Sequence, residues 1–178
     1  DGSSSTTTVS EHGQVESQVK LPAAVIEDAQ KKDEAVALPM PQVPVTSDQD
    51  SAPSVTVSLP SGTSAKVEIP VANVTPGTVA VLVKADGSEE IIKTSLTTEA
   101  GVAVTLEDGA TVKIVDNSKD FADVPNSYWG EGFVDFATSR GLFAGTSERT
   151  FSPDLTMNRA MIVTVLASLD GACLLYTS

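Results

Sequence analysis

The stretch VAVLVKADGSEEII, residues 79–92, sets the architecture of most of this chain. Val79, Val81 and Val83 recur at a period of two, which is the spacing of side chains on one face of a β-strand. Asp86-Gly87 supplies the positive φ that a tight turn requires, so Val79–Lys84 and Glu90–Thr94 are expected to fold back on each other as a hairpin. The same grammar recurs on both sides. Val55, Val57 and Leu59 alternate with Thr56 and Ser58, and Val102, Val104 and Leu106 alternate again. Asp108-Gly109 then predicts a second hairpin, Val102–Glu107 with Thr111–Val115. Residues 55–115 therefore read as β throughout.

Upstream the pattern loosens. Residues 1–13 begin with a Ser/Thr-rich run without apolar period and are expected to be linker. Val15, Val19 and Leu21 suggest a strand. Pro22 suits a helix start, and a helix near 22–35 would place Val25, Ile26 and Ala29 on one face. VALPMPQVPV, residues 36–45, is extended, but Pro39, Pro41 and Pro44 confine it to an edge. Ser47–Ser54 reads as a polar turn. Residues 14–116 are thus expected to form a β-rich spacer, a small antiparallel sandwich or sheet with one helix packed on it. No Trp, Tyr or Phe precedes Asp120, so sugar stacking is not expected of this region.

From Asp120 the period becomes helical. Trp129, Phe133, Phe136 and Ala137 fall on one face of a helix that Gly141 should end. A second helix has Ile162, Val165, Leu166 and Leu169 on one face. Between them Gly145–Pro153 is a loop with Phe151 as its apolar anchor. The fold class is α+β: a β-rich N-terminal domain with one helix, then a small unit of two main helices joined by a loop.

Charge and residue usage exclude several functions. Twenty-four acidic against eleven basic side chains give a formal charge of -13, a field that repels nucleic-acid phosphates and anionic lipids. The longest apolar stretch, Met161–Leu169, is interrupted by Thr164 and Ser168 and is about half the roughly 20 residues of a membrane span. Cys173 is the only cysteine, which leaves no internal disulfide and no Cys-based zinc site. The single histidine, His12, sits beside the Ser/Thr-rich end and is a poor base for a Ser-His-Asp arrangement. Asp116, Ser118 and Asp120 mimic the start of a calcium loop, yet Phe121 and Ser127 stand where Gly and the bidentate Glu are needed. Glu27, Asp28, Asp33 and Glu34 flank Lys31 and Lys32 as a solvated helix face. No catalytic residue, metal site or cofactor is expected.

Three segments carry more specific information: FADVPNSYW at 121–129, ATSRGLFAGTSERTFSPD at 137–154 and MNRAMIVTVLASLDG at 157–171. In this order and spacing they resemble one S-layer homology repeat, spanning residues 120–172. The family motif Ile-Thr-Arg-Ala-Glu is Met157-Asn158-Arg159-Ala160-Met161 here, a departure at three of five positions. Asn158 can still N-cap the helix, whereas Met161 cannot return the bond of a capping-box Glu. The resemblance implies a secreted bacterial surface protein, located extracellularly at the cell wall or S-layer. It also implies neighbouring repeats, usually three packed around a pseudo-threefold axis, and a cell-wall polysaccharide ligand, in some members pyruvylated.

Such a ligand asks for a guanidinium and an aromatic face. The candidate binding residues are therefore Arg159, Trp129, Asp123 and Gly145, with Arg159 first because it also lies in an anion-favouring first helical turn. The last three each have a plainer reading. Trp129 suits a core anchor, Asp123 a turn cap or an ion pair with Arg159, and Gly145 a tight backbone. Phe121, Phe133, Phe136 and Phe151 are assigned to packing, and Arg140 to solvent near a helix end. The function expected is non-covalent wall anchoring with the β-rich region as spacer. The alternative is the tether of a surface hydrolase whose catalytic domain lies upstream. The chain starts at Asp1 without a signal segment and reads as an internal fragment. Its last residues, CLLYTS at 173–178, are the translation of TGT CTC TTA TAC ACA TCT, which resembles a transposon sequencing adapter, so the native sequence is expected to differ after Ala172.

Overall fold

A computed structural model describes residues 2–11 and 14–170; His12 and the CLLYTS end lie outside the described residues. The β-rich part consists of β1 (Ser4–Val9), β2 (Val15–Lys20), α1 (Ala23–Lys32), β3 (Val36–Ala37), β4 (Val43–Pro44), β5 (Ser54–Ser58), β6 (Ser64–Ala72), β7 (Thr78–Val83), β8 (Glu89–Ile91), β9 (Leu96–Thr97), β10 (Gly101–Glu107) and β11 (Thr111–Asp116). These make two sheets, one in the order β1-β2-β5-β11-β7-β8 and one in the order β3-β6-β10-β9 with β4 also on β6. Val55, Val57 and Ile114 of the first sheet and Val67, Ile69, Val102 and Val104 of the second share one core. Each such side chain, fully removed from water, stabilises the fold by about 1.5–3 kcal/mol.

Three expectations need correction. The sheets are mixed, since β2–β5, β3–β6 and β4–β6 pair in parallel. Between β2 and β5 the chain forms α1 and then adds β3 and β4 to the other sheet, so it re-enters the first sheet in its original direction. The hairpin of residues 79–94 forms as β7–β8, but that of residues 102–115 does not. β10 pairs with β6 and β9 in one sheet, and β11 pairs with β5 and β7 in the other. Asp108-Gly109 is a corner between sheets, held by β5: Asp108 Oδ1 accepts from Leu59 N–H at 2.9 Å, and Gly109 N–H donates to the Val57 carbonyl at 2.9 Å. Facing each other across the core, the apolar faces of both strands lose their water, which side-by-side pairing does not ensure.

The third correction concerns the linker. Ser4–Val9 is a strand, paired with β2 along its length from Ser4↔Lys20 to Val9↔Val15. Three consecutive threonines favour extended backbone, and Thr7 Oγ1 bonds Ser17 Oγ at 3.0 Å. α1 agrees with the sequence: it follows Pro22, buries Ile26, half-buries Val25 and Ala29, and ends at Asp33 in the left-handed region (φ 56).

Beyond β11 lie α2 (Glu131–Ser139) and α3 (Arg159–Leu169). The two helices exist as expected, with shorter bounds at the N-terminus of α2. Gly141 (φ 65) ends α2 by letting its own N–H reach the Thr138 carbonyl and that of Leu142 reach Ala137. The C-terminal half of α2 is seated on the sandwich, where Asp135, Thr138, Ser139 and Arg140 are buried. α3 buries no residue. It is tied to the sandwich by Lys93, whose Nζ donates to Ser168 Oγ at 2.7 Å and to the Ser168 carbonyl at 3.2 Å.

Candidate wall-binding segment

Residues 120–160 are organised around a small apolar cluster of Phe121, Val124 and Val134, with Tyr128 and Phe151 packed against it. Phe121 and Phe151 meet with ring centroids 5.6 Å apart. This brings the chain before α2 against the chain before α3. Asp123 fixes that meeting. Its Oδ1 accepts from Phe151 N–H at 2.9 Å and its Oδ2 from Ser152 N–H at 2.7 Å. These backbone donors, Phe151 first, hold its carboxyl below the ordinary carboxylate value. Asp123 is therefore a clamp on the loop. Among the described residues its carboxylate makes no hydrogen bond to the turn that follows it and no ion pair with Arg159; the ion pairs there are Lys32–Asp28, Lys84–Glu90 and Lys113–Glu89.

Gly145 stands in the same cluster for steric reasons. A Cβ there would lie 2.5 Å from the Thr150 carbonyl oxygen, 2.7 Å from that of Ser147 and 2.7 Å from Phe121 Cε1. The loop from Gly145 to Ser152 can close only over a residue without a side chain. Ser147 and Thr150 bridge it across its tip.

Trp129 corrects the core-anchor reading. It precedes α2 and is 82% exposed, and Phe133, assigned to packing from its spacing, is 74% exposed. Tyr128, Trp129 and Phe133 form a chain of rings with centroids 5.6 and 6.5 Å apart. α2 turns its opposite face, with Val134 and Thr138, inward. The i, i+4 relation of Trp129 and Phe133 was visible in the sequence, but helical spacing does not say which side of a helix the core occupies. Phe136 is half-buried and packs under Arg140.

Arg140 corrects the solvated-cation reading most sharply. It is fully buried. Its guanidinium donates to the carbonyls of Ser95 (2.8 Å), Pro76 (3.0 Å) and Thr78 (3.0 Å) on the sandwich, and to Phe136 (3.1 Å) on its own helix. It also lies 3.7 Å from the centroid of the Phe136 ring. Burial lowers its pKa to about 10, opposed by the charge of Asp135, so it remains a cation at neutral pH. Asp135 is buried beside it, accepting from Ser118 Oγ at 3.0 Å and Lys119 N–H at 3.3 Å, and desolvation raises its pKa. Sequence spacing carried no signal for this cluster, since every acceptor of Arg140 on the sandwich is backbone.

Arg159 is exposed and opens α3. Asn158 caps that helix as expected, Oδ1 accepting from Met161 N–H at 3.0 Å. Met161 is itself exposed, as are Met157, Ile162, Val163, Leu166 and Leu169. The face carrying Ile162, Leu166 and Leu169 is thus unpacked, and Val165 is half-buried. The structure gathers Asp123 and Gly145 around one loop, which Asp123 clamps from outside and in which Gly145 lies. It joins neither to Arg159 or Trp129 by any hydrogen bond or ring contact among the described residues. No group of three or more metal-ligating side chains and no helix long and apolar enough to cross a membrane occurs among them.

Comparison with known proteins gives the segment its family. The S-layer homology domain matches residues 120–160. A curated relative, Cell surface glycoprotein 1 of Acetivibrio thermocellus, is 36% identical over 50 residues, which is 28% of this chain and 2% of that protein. No solved structure matches the chain. Such a domain points to attachment at the cell surface. The Phe121–Phe151 cluster, the Asp123 clamp and the Gly145 closure are thus the local framework of an S-layer homology domain, which this chain carries over residues 120–160 behind a β-sandwich.

Proposed function

We propose that this chain is a non-enzymatic wall anchor: the S-layer homology domain binds cell-wall polysaccharide, pyruvylated polymers included, and the sandwich serves as its spacer. The observation that carries the reading is the exposure of Trp129 and Phe133 beside Tyr128 in a segment of this family. Neighbouring aromatic faces in water suit the C–H faces of a sugar, since they bury apolar area on binding at little conformational cost. Arg159 supports it, since an exposed guanidinium in a helix's first turn can take a carboxylate through paired donors. Asp123 and Gly145 act in this reading by shaping the loop rather than by touching ligand.

Neighbouring repeats complete the site. The unpacked face of α3 supports that view, because Ile162, Leu166 and Leu169 have no partner within the described chain. A single repeat is therefore expected to bind wall polymer weakly. The test is sedimentation with purified wall sacculi, comparing a full array of repeats with its Trp129→Ala and Arg159→Ala forms. Each change should weaken binding by about tenfold or more while leaving the helical circular dichroism intact. Unchanged binding by both variants would remove the polysaccharide site from these residues.

A further inference from the structure

The junction between α2 and the sandwich holds a buried carboxyl that no cation pairs with. Asp135 is 7% exposed, and none of the three ion pairs among the described residues includes it. Arg140, the cation of that junction, directs its donors to carbonyls and to Ser139 Oγ, and acts on Asp135 only through its charge. The chain after β11 offers Asp135 the Ser118 hydroxyl and the Lys119 N–H, while the Lys119 side chain is exposed. β11 contributes Asp116, whose charge disfavours a second one nearby. The carboxylates of Asp120 and of Glu131, one turn earlier on α2, make no hydrogen bond to this group among the described residues. On the sandwich side Gly77 presses so close that a Cβ there would lie 2.0 Å from Ser118 Oγ and 2.8 Å from Asp135 Oδ2.

Ser118 is where the protons fall short. Its Oγ lies 2.5 Å from Asp116 Oδ1 and 3.0 Å from Asp135 Oδ2, so two carboxylates reach for one hydroxyl proton. With both ionised, one of these contacts sets lone pair against lone pair. A proton on Asp135 resolves the conflict. Its O–H then donates to Ser118 Oγ, Ser118 donates to Asp116, and Asp135 Oδ1 still accepts from Lys119 N–H at 3.3 Å. Two carboxylates around one site favour protonation of one of them. Burial acts in the same direction and is the leading cause of the raised pKa of Asp135. Ser118 is exposed, which gives the proton a route from water.

We propose that Asp135, Ser118 and Asp116 form a proton-operated latch, which on taking up one proton tightens the seating of α2, and with it the S-layer homology domain, on the sandwich. Arg140 holds the junction with or without that proton, because it stays a cation at neutral pH. The folded pKa of Asp135 lies above its ordinary value. Its contribution is therefore fully present below the ordinary carboxylate value and is lost as pH rises through the folded one. Asp123 is shifted the other way, so between the two folded values the latch is closed while the loop clamp still holds. The latch needs no ligand and is independent of what the domain binds.

The test is an NMR titration of the intact chain, read at the Asp135 carboxyl carbon, from neutral pH to about pH 4, the ordinary carboxylate value. Amide exchange of α2 is followed over the same range. Asp135 should titrate above the ordinary value. Protection of α2, corrected for the intrinsic pH dependence of exchange, should rise at least about threefold toward the acid end. Asp135→Asn supplies the N–H donor in place of the acid's O–H, so it should show the acid level of protection at neutral pH and lose the change. Asp116→Asn should move the Asp135 titration down, since Ser118 then serves one carboxylate. Asp123→Asn should leave the pH dependence of α2 in place. An Asp135 carboxyl titrating at or below the ordinary value would overturn the proposal. So would α2 protection that is flat or falls toward acid, or an Asp135→Asn form less protected than the parent at neutral pH. Millimolar Ca2+ reproducing the acid effect at neutral pH would also overturn it, by making the two carboxylates a cation site.

Discussion

Replacing Arg140 with Ala should loosen the helical segment from the sandwich. Three sandwich carbonyls, those of Ser95, Pro76 and Thr78, lose their donor at once. A hydrogen bond to a charged group contributes roughly 1.5–3 kcal/mol net. The cost of burying the cation, visible in its lowered pKa, is recovered on deletion and offsets part of that loss. A net loss of about 4 kcal/mol is expected, near the upper range for a single substitution. For a chain of this size that lowers the melting temperature by about 8–16 °C. Where the loss is confined to undocking of α2, amide exchange of its residues should quicken by about 10²–10³, at tenfold for each 1.4 kcal/mol. Arg140→Lys, a compact cation without the planar fork, should recover only part of the stability. A melting temperature within about 2 °C of the parent, together with unchanged exchange in α2, would refute the reasoning.

Other outcomes follow from the site. Gly145→Ala should destabilise the repeat by about 1–3 kcal/mol, measured by urea unfolding, because two of the three clashes are with backbone carbonyls that cannot rotate away. Trp129→Ala should change stability by no more than about 0.5 kcal/mol despite the size of the side chain, since the ring is 82% exposed. Asn158→Ala should cost about 1 kcal/mol of α3 and lower helical circular dichroism. Asp123 has a lowered pKa in the folded state, so its clamp is fully present above the ordinary carboxylate value and is lost as pH falls through the lower folded value. Amide protection of Phe151 and Ser152 should fade across that acid window, and Asp123→Asn should abolish the pH dependence.

The sequence displayed individual strands better than their partners. Val79, Val81 and Val83, the Asp86-Gly87 turn and the Pro22 helix start all carry local signals, and β7, β8 and α1 formed accordingly. Asp108-Gly109 carries the same local signal and forms a corner, because the choice between hairpin and corner is made by β5, about fifty residues earlier. β1 was hidden for a related reason: a strand at an edge needs no alternation of apolar side chains, only a neighbour to pair with. In the helical segment the Asn158 cap was legible from adjacent residues, whereas the burial of Arg140 depends on carbonyls contributed by β7 and the chain before β9. Trp129 and Phe133 show the remaining limit. Their spacing identified a shared face, and only the docking of α2 decided that this face meets water.

The corner at Asp108-Gly109 bears on how the domain is made. β11, its last strand in sequence, occupies the middle of the larger sheet, between β5 and β7, and β10 likewise separates β6 from β9. Until those late residues emerge from the ribosome, β7–β8 has no connection to β1-β2-β5, and both sheets present open central edges. The chain must wait, unfinished, for its final strands, and then closes both layers in one cooperative event dominated by pairings distant in sequence. Synthesis halted before Thr111 would yield no smaller version of the sandwich, only an unfolded precursor exposed to proteolysis.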